Sequence, residues 1–206
     1  MSNLPASGKG LLFVMSGPSG TGKGTICGEL IKSGNIFLSV SSTTREKRKG
    51  EIDGVTYNYT TVDEFEKMIA GGEMLEYAKY GDNYYGTPKK TVTEMLAAGK
   101  NVLLEIEPQG AALVKSKMPE AVLLFILPPS ARELKKRLCE RGRESDEEIA
   151  KRLQAAGWEL SQAPLYNKMF VNDDLGECVE RVGEYISEKT RERAFLDNLI
   201  EELQDI

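Results

Sequence analysis

The sequence predicts an α/β protein with a mainly parallel central sheet, a small inserted α+β domain and a helical lid. Three observations lead there. Unbroken apolar runs of strand length recur at residues 10–16, 102–106 and 121–127, the pattern of strands buried on both faces of a parallel sheet. Helix start and stop signals lie between the first and second of these runs and beyond the third. Residues 41–89 break the rhythm with glycines, charges and tyrosines, the texture of a separate insertion.

Each element has its own signal. The run 10–16, GLLFVMS, gives way to a glycine-rich turn and then to a helical pattern from Lys23, with Ile26, Leu30 and Ile31 on one side and Gly34 as a stop. Residues 36–40 form a second strand, followed by short tyrosine and β-branched runs that read as antiparallel. Thr61 with Glu64 makes a capping box for a short helix ending at Gly71-Gly72. The segment MLEYAKYGDNYYGT reads as a hairpin turning at residues 81–83. Thr87-Pro88 then opens a helix to Gly99, with proline in its first turn.

Beyond the strand at 121–127, Ser130 with Glu133 and Ser145 with Glu148 mark two helix starts on either side of RGRES. A last strand over 169–172 precedes a helix to about Leu203, whose expected buried stripe is Val179, Val182, Ile186, Phe195 and Leu199. The domain layout follows: core at 1–40, 90–134 and 157–206, insertion at 41–89, lid at 135–156. Strand order is not fixed by these signals.

Composition narrows the chemistry. A chain of 206 residues, 40% hydrophobic, can bury one sizeable core. A net charge of −5 disfavours broad electrostatic binding of nucleic acid, so no nucleic-acid partner is expected. No run approaches the roughly 18 apolar residues of a membrane span, so no membrane partner is expected, and no obligatory protein partner is evident. The first ten residues, MSNLPASGKG, read as a short leader. Cys27, Cys139 and Cys178 lack the paired spacing of zinc or redox motifs, which points to a reduced, cytoplasmic compartment. They read as packing or incidental residues rather than nucleophiles, and Trp158 as packing. The chain has no histidine, so imidazole supplies neither base nor metal ligand.

Gly17-Pro18-Ser19-Gly20-Thr21-Gly22-Lys23 fits G-x-x-x-x-G-K after a predicted strand and before a predicted helix, the context a phosphate-binding loop requires. Its backbone N–H groups and the helix N-terminus favour an anion, and Lys23 spans the phosphates of ATP. The architecture is therefore a three-layer P-loop NTPase-type fold. Gly24 follows the lysine, and the hydroxyl arrives one place later at Thr25. That GKGT form resembles the loop of adenylate kinases.

The insertion decides the second substrate. The runs SVSSTTREKRKGEIDGVTYNY and EYAKYGDNYYGTP resemble the GMP-binding region of guanylate kinases, and the likeness extends from the P-loop through VNDD. A nucleoside monophosphate carries a dianionic phosphate that needs bidentate or hydroxyl donors, and Arg45, Arg48, Tyr57 and Tyr85 supply these. Guanine presents adjacent N1 and N2 donors beside the O6 acceptor. The resemblance makes Glu76 the carboxylate that accepts from both, and places Ser41 and Thr87 as hydroxyl contacts to GMP.

The resemblance also assigns roles at the acidic strand end and the lid. Guanylate kinases usually carry aspartates at the positions of Glu105 and Glu107. Glu107 is expected near guanine or ribose, and Glu105 near the waters of Mg²⁺, with Thr25 the other candidate metal residue. Arg137, Arg141 and Arg152 match the family's lid arginines in spacing, Arg143 is an extra, and Asn172 is placed toward adenine. The implied function is ATP-dependent phosphorylation of GMP by in-line transfer, with dGMP as an open second acceptor. Lys23, Mg²⁺, Arg137, Arg141 and Arg152 neutralise the moving phosphoryl while Arg45 and Arg48 hold the acceptor. Two rivals remain: another monophosphate kinase, favoured by GKGT, and a non-catalytic guanylate-kinase-like binding module, disfavoured by the intact lysine.

Overall fold

The structure is a computed structural model that describes residues 8–140 and 146–204. Five parallel strands form the central sheet: β1 (Leu12–Ser16), β2 (Ile36–Leu38), β7 (Asn101–Glu105), β8 (Val122–Leu127) and β9 (Lys168–Val171), in the order β2-β7-β1-β8-β9. Side chains of a strand alternate between faces, and β1 uses both. Phe13 and Met15 pack with helices α1 (Lys23–Ile31) and α7 (Leu175–Gln204) through Ile26, Leu30, Val182 and Ile186. Leu12 and Val14 pack with α3 (Lys89–Ala97) and α4 (Pro108–Lys117) through Val92, Leu96 and Val114. This two-sided burial is why the sequence shows an unbroken apolar run where a half-exposed strand would alternate. Each such side chain taken from water contributes about 1.5–3 kcal/mol.

The central strand β1 is flanked by β7 and β8, so the chain runs to one side of β1 and later to the other. In open α/β sheets that reversal leaves a crevice at the carboxyl ends of the strands. The phosphate loop follows β1 at that point, and Glu105 closes β7 beside it.

A second sheet of four strands has the order β4-β3-β6-β5, formed by β3 (Ser42–Thr43), β4 (Asn58–Tyr59), β5 (Met74–Tyr80) and β6 (Asn83–Pro88). The hairpin β5-β6 turns where expected, through Gly81 at φ +58°. The sequence reading of antiparallel strands fails at one pair, since β3 and β4 run parallel. The connection over residues 44–57 is far longer than a hairpin turn and brings the chain back in the same direction. Helix α2 (Val62–Ala70) begins with the reciprocal Thr61–Glu64 capping box and lays Phe65 flat on Tyr84, ring centroids 5.2 Å apart. Leu75 of β5 enters the core under α4, and Lys117 Nζ donates to the Leu75 carbonyl at 2.6 Å, so α4 ties the small sheet to the large one.

Four expectations need correction. Helix α4 has no counterpart in the sequence reading, although Pro108 stands in its first turn and Lys115 and Lys117 in its last. Pro88 ends β6, in register with Met74 of β5, and stands at the N-cap of α3 rather than in its first turn. Ile31 is exposed at the end of α1. Helix α7 buries Val182 and Ile186 and half-buries Val179, but Phe195 and Leu199 are exposed, since the helix outruns the sheet it packs on.

Helices α5 (Ala131–Glu140) and α6 (Asp146–Ser161) pair through Leu134, Leu138, Leu153 and Ala156. The Ser130 hydroxyl accepts from the Glu133 N–H at 3.1 Å, as the first capping signal requires. The second, Ser145 with Glu148, lies outside the described residues. Among the described residues no helix is long and apolar enough to cross a membrane.

Candidate functional site

The phosphate loop is held from three sides. Gly17 takes φ +143°, and a Cβ there would lie 2.3 Å from the Ile126 carbonyl oxygen, so only glycine lets the chain cross the end of β8. Gly22 stands at the N-cap of α1 with φ +89°, and its missing Cβ would lie 2.5 Å from Asn172 Nδ2. That amide donates to the Thr21 carbonyl at 2.7 Å, so Asn172, at the end of β9, braces the loop. Thr21 is buried and its hydroxyl donates to the Pro18 carbonyl at 2.8 Å. Leu134 and Leu138 of α5 lie beneath Gly20.

The first turn of α1 has no side-chain cap and no acidic residue, leaving N–H groups and positive potential for an anion. Lys23 Nζ donates to the carbonyls of Gly17 and Pro18. Burial pushes its pKa down, while Glu105, Glu159 and Glu107 pull it up. A Cβ at Gly24 would stand 3.5 Å from Glu105 Oε2, so Glu105 reaches the start of α1. Thr25 is exposed on the same turn.

Two cavities meet at this acidic strand end. One, of about 370 Å³, is lined by Ser19, Lys23, Glu105, Glu107 and Glu159 among others. The second, of about 320 Å³, reaches into the small sheet and is lined by Tyr57, Glu76, Tyr80, Tyr85 and Gly110. Ser41, Tyr57, Glu105, Ile106 and Glu107 belong to both walls. Glu76 is 4% exposed and its Oε1 accepts from the Thr87 hydroxyl at 2.7 Å. Burial raises its pKa, with Thr87 and Lys117 opposing and Glu107 adding to the rise. A Cβ at Gly110 would lie 2.6 Å from Glu76 Oε2, so α4 leaves room for this carboxylate by carrying glycine there.

Of the two arginines expected to hold the acceptor phosphate, Arg45 is fixed and Arg48 is not. Arg45 donates to both oxygens of Glu51, at 2.8 and 3.0 Å, and lies 5.5 Å from the Tyr57 ring centroid. Glu51 also accepts from the Tyr59 hydroxyl and the Arg48 N–H, each at 2.7 Å. The Arg45 guanidinium first, then these two donors, hold the Glu51 carboxyl down at about 2. The Arg48 side chain is exposed, and neither it nor Arg45 lines the two cavities.

On the helical pair, Arg137 Nε donates to Glu133 at 3.0 Å and its Nη1 to the Asn172 carbonyl at 3.2 Å. Arg152 lines a third cavity, of about 530 Å³, with Ser19, Tyr80, Glu107, Trp158 and Glu159. Trp158 is therefore not a packing residue: it is 52% exposed and faces this cavity. Glu159 has a buried Oε2 with no hydrogen-bond partner among the described residues. Burial, then Glu107, push its pKa up to about 7 against Lys23. Arg141 and Arg143 lie outside the described residues. Cys27 and Cys178 are buried, and Cys139 is exposed.

A sequence model of the guanylate kinase family matches residues 9–189. The chain belongs to the guanylate kinase family. It is 49% identical over 193 residues to a guanylate kinase of Clostridium tetani, covering 93% of each chain. It is 54% identical over 172 residues to one from Carboxydothermus hydrogenoformans, covering 83% of this chain and 84% of that one. A crystal structure of guanylate kinase from Anaplasma phagocytophilum superposes with a TM-score of 0.75 at 33% identity, over 89% of this chain and 87% of the other. A gluconokinase from Sinorhizobium meliloti, 15% identical with a TM-score of 0.51, shares the fold over 91% of this chain and 97% of its own. The parallel sheet, flanking helices and phosphate loop are thus those of a guanylate kinase.

Sequence reasoning missed Glu51, Tyr80, Gly110 and Glu159. Glu51 follows Arg45 by six positions in a loop, where no periodicity signals a contact. Glu159 stands two helical turns after Arg152 and so shares its face, the one signal that pointed to it.

Proposed function

We propose that the chain moves the terminal phosphoryl group of ATP onto GMP, forming ADP and GDP, in purine nucleotide metabolism. One observation carries the reading: the Lys23 cavity and the Glu76 cavity adjoin through a common wall, so two nucleotides would meet phosphate to phosphate at Glu105 and Glu107. ATP enters the loop from Gly17 to Lys23, with Gly24 and Thr25 opening α1. GMP enters the small-sheet cavity, base toward Glu76.

The chemistry of recognition follows from donors and acceptors. An ionised Glu76 accepts from both N1 and N2 of guanine, whereas adenine turns an acceptor toward it and leaves a buried carboxylate unpaired. Arg45, held by Glu51, together with Tyr57, Tyr85 and Ser41, binds the acceptor phosphate. Thr87 orients Glu76, and Glu107 stands between base and phosphates. A GMP phosphate oxygen is already ionised near neutral pH, so attack needs no general base. The bond from the γ-phosphorus to the β-γ bridging oxygen breaks as the new P–O bond forms, and Lys23, Arg137, Arg141 and Arg152 neutralise the equatorial oxygens.

Family membership carries a need for a divalent cation, and Mg²⁺ entering with ATP fits the residues. Glu105 and Thr25 offer hard oxygen donors beside the loop, suited to a cation held mainly by phosphate oxygens and water. Such a cation supplies charge neutralisation on the phosphates. The segment 41–89 acts as the acceptor domain and 135–156 as a lid, closing on the core of 1–40, 90–134 and 157–206 to exclude water. The setting is cytoplasmic, with dGMP an open second acceptor.

The decisive experiment supplies magnesium, ATP and GMP and measures GDP. Formation of GDP, with AMP and dTMP turned over far more slowly, is expected. Absence of GDP, or faster turnover of AMP, would refute the reading. Glu76→Gln should raise the KM for GMP far more than that for ATP.

A further inference from the structure

The cleft between the helical pair and the small sheet holds two exposed aromatic side chains that the transfer chemistry leaves without a task. Trp158, the one tryptophan of the chain, stands on α6 and is 52% exposed, and Tyr80 ends β5 and is 42% exposed. Both line the cavity of about 530 Å³. On α6 the residues lining it are Arg152, Ala155, Trp158 and Glu159, which fall within about 120° of helix surface. Leu153 and Ala156, on the adjoining surface, pack with Leu134 and Leu138 of α5. A helix held by its partner thus presents the Trp158 ring to the cleft. Tyr80 reaches the same cleft from the acceptor side. It also lines the cavity of Glu76, and its ring meets the Tyr85 ring edge-on, centroids 6.0 Å apart.

We propose that Tyr80 and Trp158 are positioning residues for the transfer. When the lid and the acceptor domain close, the two rings pack on each other, and that contact seats Arg152 at the phosphate loop only when the acceptor site is filled. The inference rests on the two-nucleotide reading given above. Three features give it direction. Tyr80 belongs to both the acceptor cavity and the lid cavity, so it joins the two sites in one side chain. The acceptor phosphate is placed at Tyr85, whose ring Tyr80 touches, so a filled site steadies Tyr80 from one side. Trp158 lies six residues after Arg152, about 9 Å along the same rigid helix. A docked ring therefore fixes where the guanidinium stands relative to Ser19, the loop residue in the same cavity.

Burying aromatic surface is favourable, and paired rings add to it, so the closed state gains a contact that the open state lacks. Neutralisation of the moving phosphoryl then depends on the acceptor being present, which limits transfer to water.

The test uses the full chain and the emission of Trp158, which no second tryptophan obscures. With magnesium present, GMP and a non-hydrolysable ATP analogue together should move the emission to shorter wavelength, as the ring leaves water, and by more than either alone. Tyr80→Ala should abolish the shift, and Tyr80→Phe should keep it. In steady-state kinetics, Tyr80→Ala and Trp158→Ala should each lower kcat about twofold to tenfold, the range of one aromatic pair. Both KM values should stay close to the parent's, because the contact forms only in the closed complex. The double variant should lose no more than the worse single one, and Trp158→Phe should behave as the parent. An unmoved emission in a parent that forms GDP overturns the proposal and leaves the transfer reading standing. So does a shift that survives in Tyr80→Ala, which would make Trp158 a platform for a nucleotide base. Losses in kcat that add in the double variant, or a raised KM for GMP with kcat unchanged, also overturn it. A parent that forms no GDP removes the two-nucleotide reading and the proposal with it.

Discussion

Replacing Thr87 by valine keeps the volume of a fully buried side chain and removes one hydroxyl. That hydroxyl is the donor to Glu76 Oε1 at 2.7 Å, and Glu76 is itself buried. A hydrogen bond to a charged group is worth about 1.5–3 kcal/mol, and about 1.4 kcal/mol corresponds to one pKa unit. The Glu76 pKa, already raised by burial, should therefore rise further. Guanine needs the ionised carboxylate, so the KM for GMP should rise, by up to about tenfold to a hundredfold where the carboxyl is protonated. Protonation grows as pH falls, so the loss should be largest at acid pH and shrink toward alkaline pH. Coupled ADP release, with GMP and ATP titrated separately across this range, measures the effect. The KM for ATP should not move, and Thr87→Ser should behave as the parent. Parallel changes in both KM values, or a pH-independent defect for GMP, would refute the coupling of Thr87 to Glu76.

Gly110→Ala sets a methyl carbon 2.6 Å from Glu76 Oε2 and should raise the KM for GMP at least about tenfold while ATP binding, read by titration calorimetry, stays intact. Gly22→Ala meets both a φ of +89° and Asn172 Nδ2 at 2.5 Å, so ATP affinity should fall at least about a hundredfold with a lowered thermal midpoint. Glu159 has its folded pKa raised from 4.5 to about 7. The folded state then holds a proton that the unfolded state releases, so stability should decline as pH rises from about 4.5 through 7. Glu159→Gln should flatten that decline in thermal scans, and an unchanged slope would remove Glu159 as its cause.

The parts of the fold written in local code were legible. The buried run of β1, the glycine loop, the Thr61–Glu64 cap and the β5-β6 turn each depend on residues within one element, and each stands where expected. Contacts made by distant segments were not. The parallel pairing of β3 with β4 depends on how a long loop returns, and the Asn172 brace joins residues 151 positions apart. At the site, Glu76 and Lys23 were found from motif, but Glu51 and Glu159 act through space. Phe195 and Leu199 show a further limit: period alone says that a stripe is apolar, not which surface meets it.

Helix α4 touches more of the site than any motif suggested. Its leading cap is Glu107, on the common wall of both cavities; Gly110 makes room for Glu76; and Lys117 grips the backbone of β5 at Leu75. Ten residues of stiff rod thereby act as a gauge block for the separation of donor and acceptor. Adding a single residue within the rod would turn its far end by about 100° and advance it by about 1.5 Å, aiming a side chain where Gly110 now yields. Sequence drift on the outer surface of this helix should be free, while its length should be closed to change.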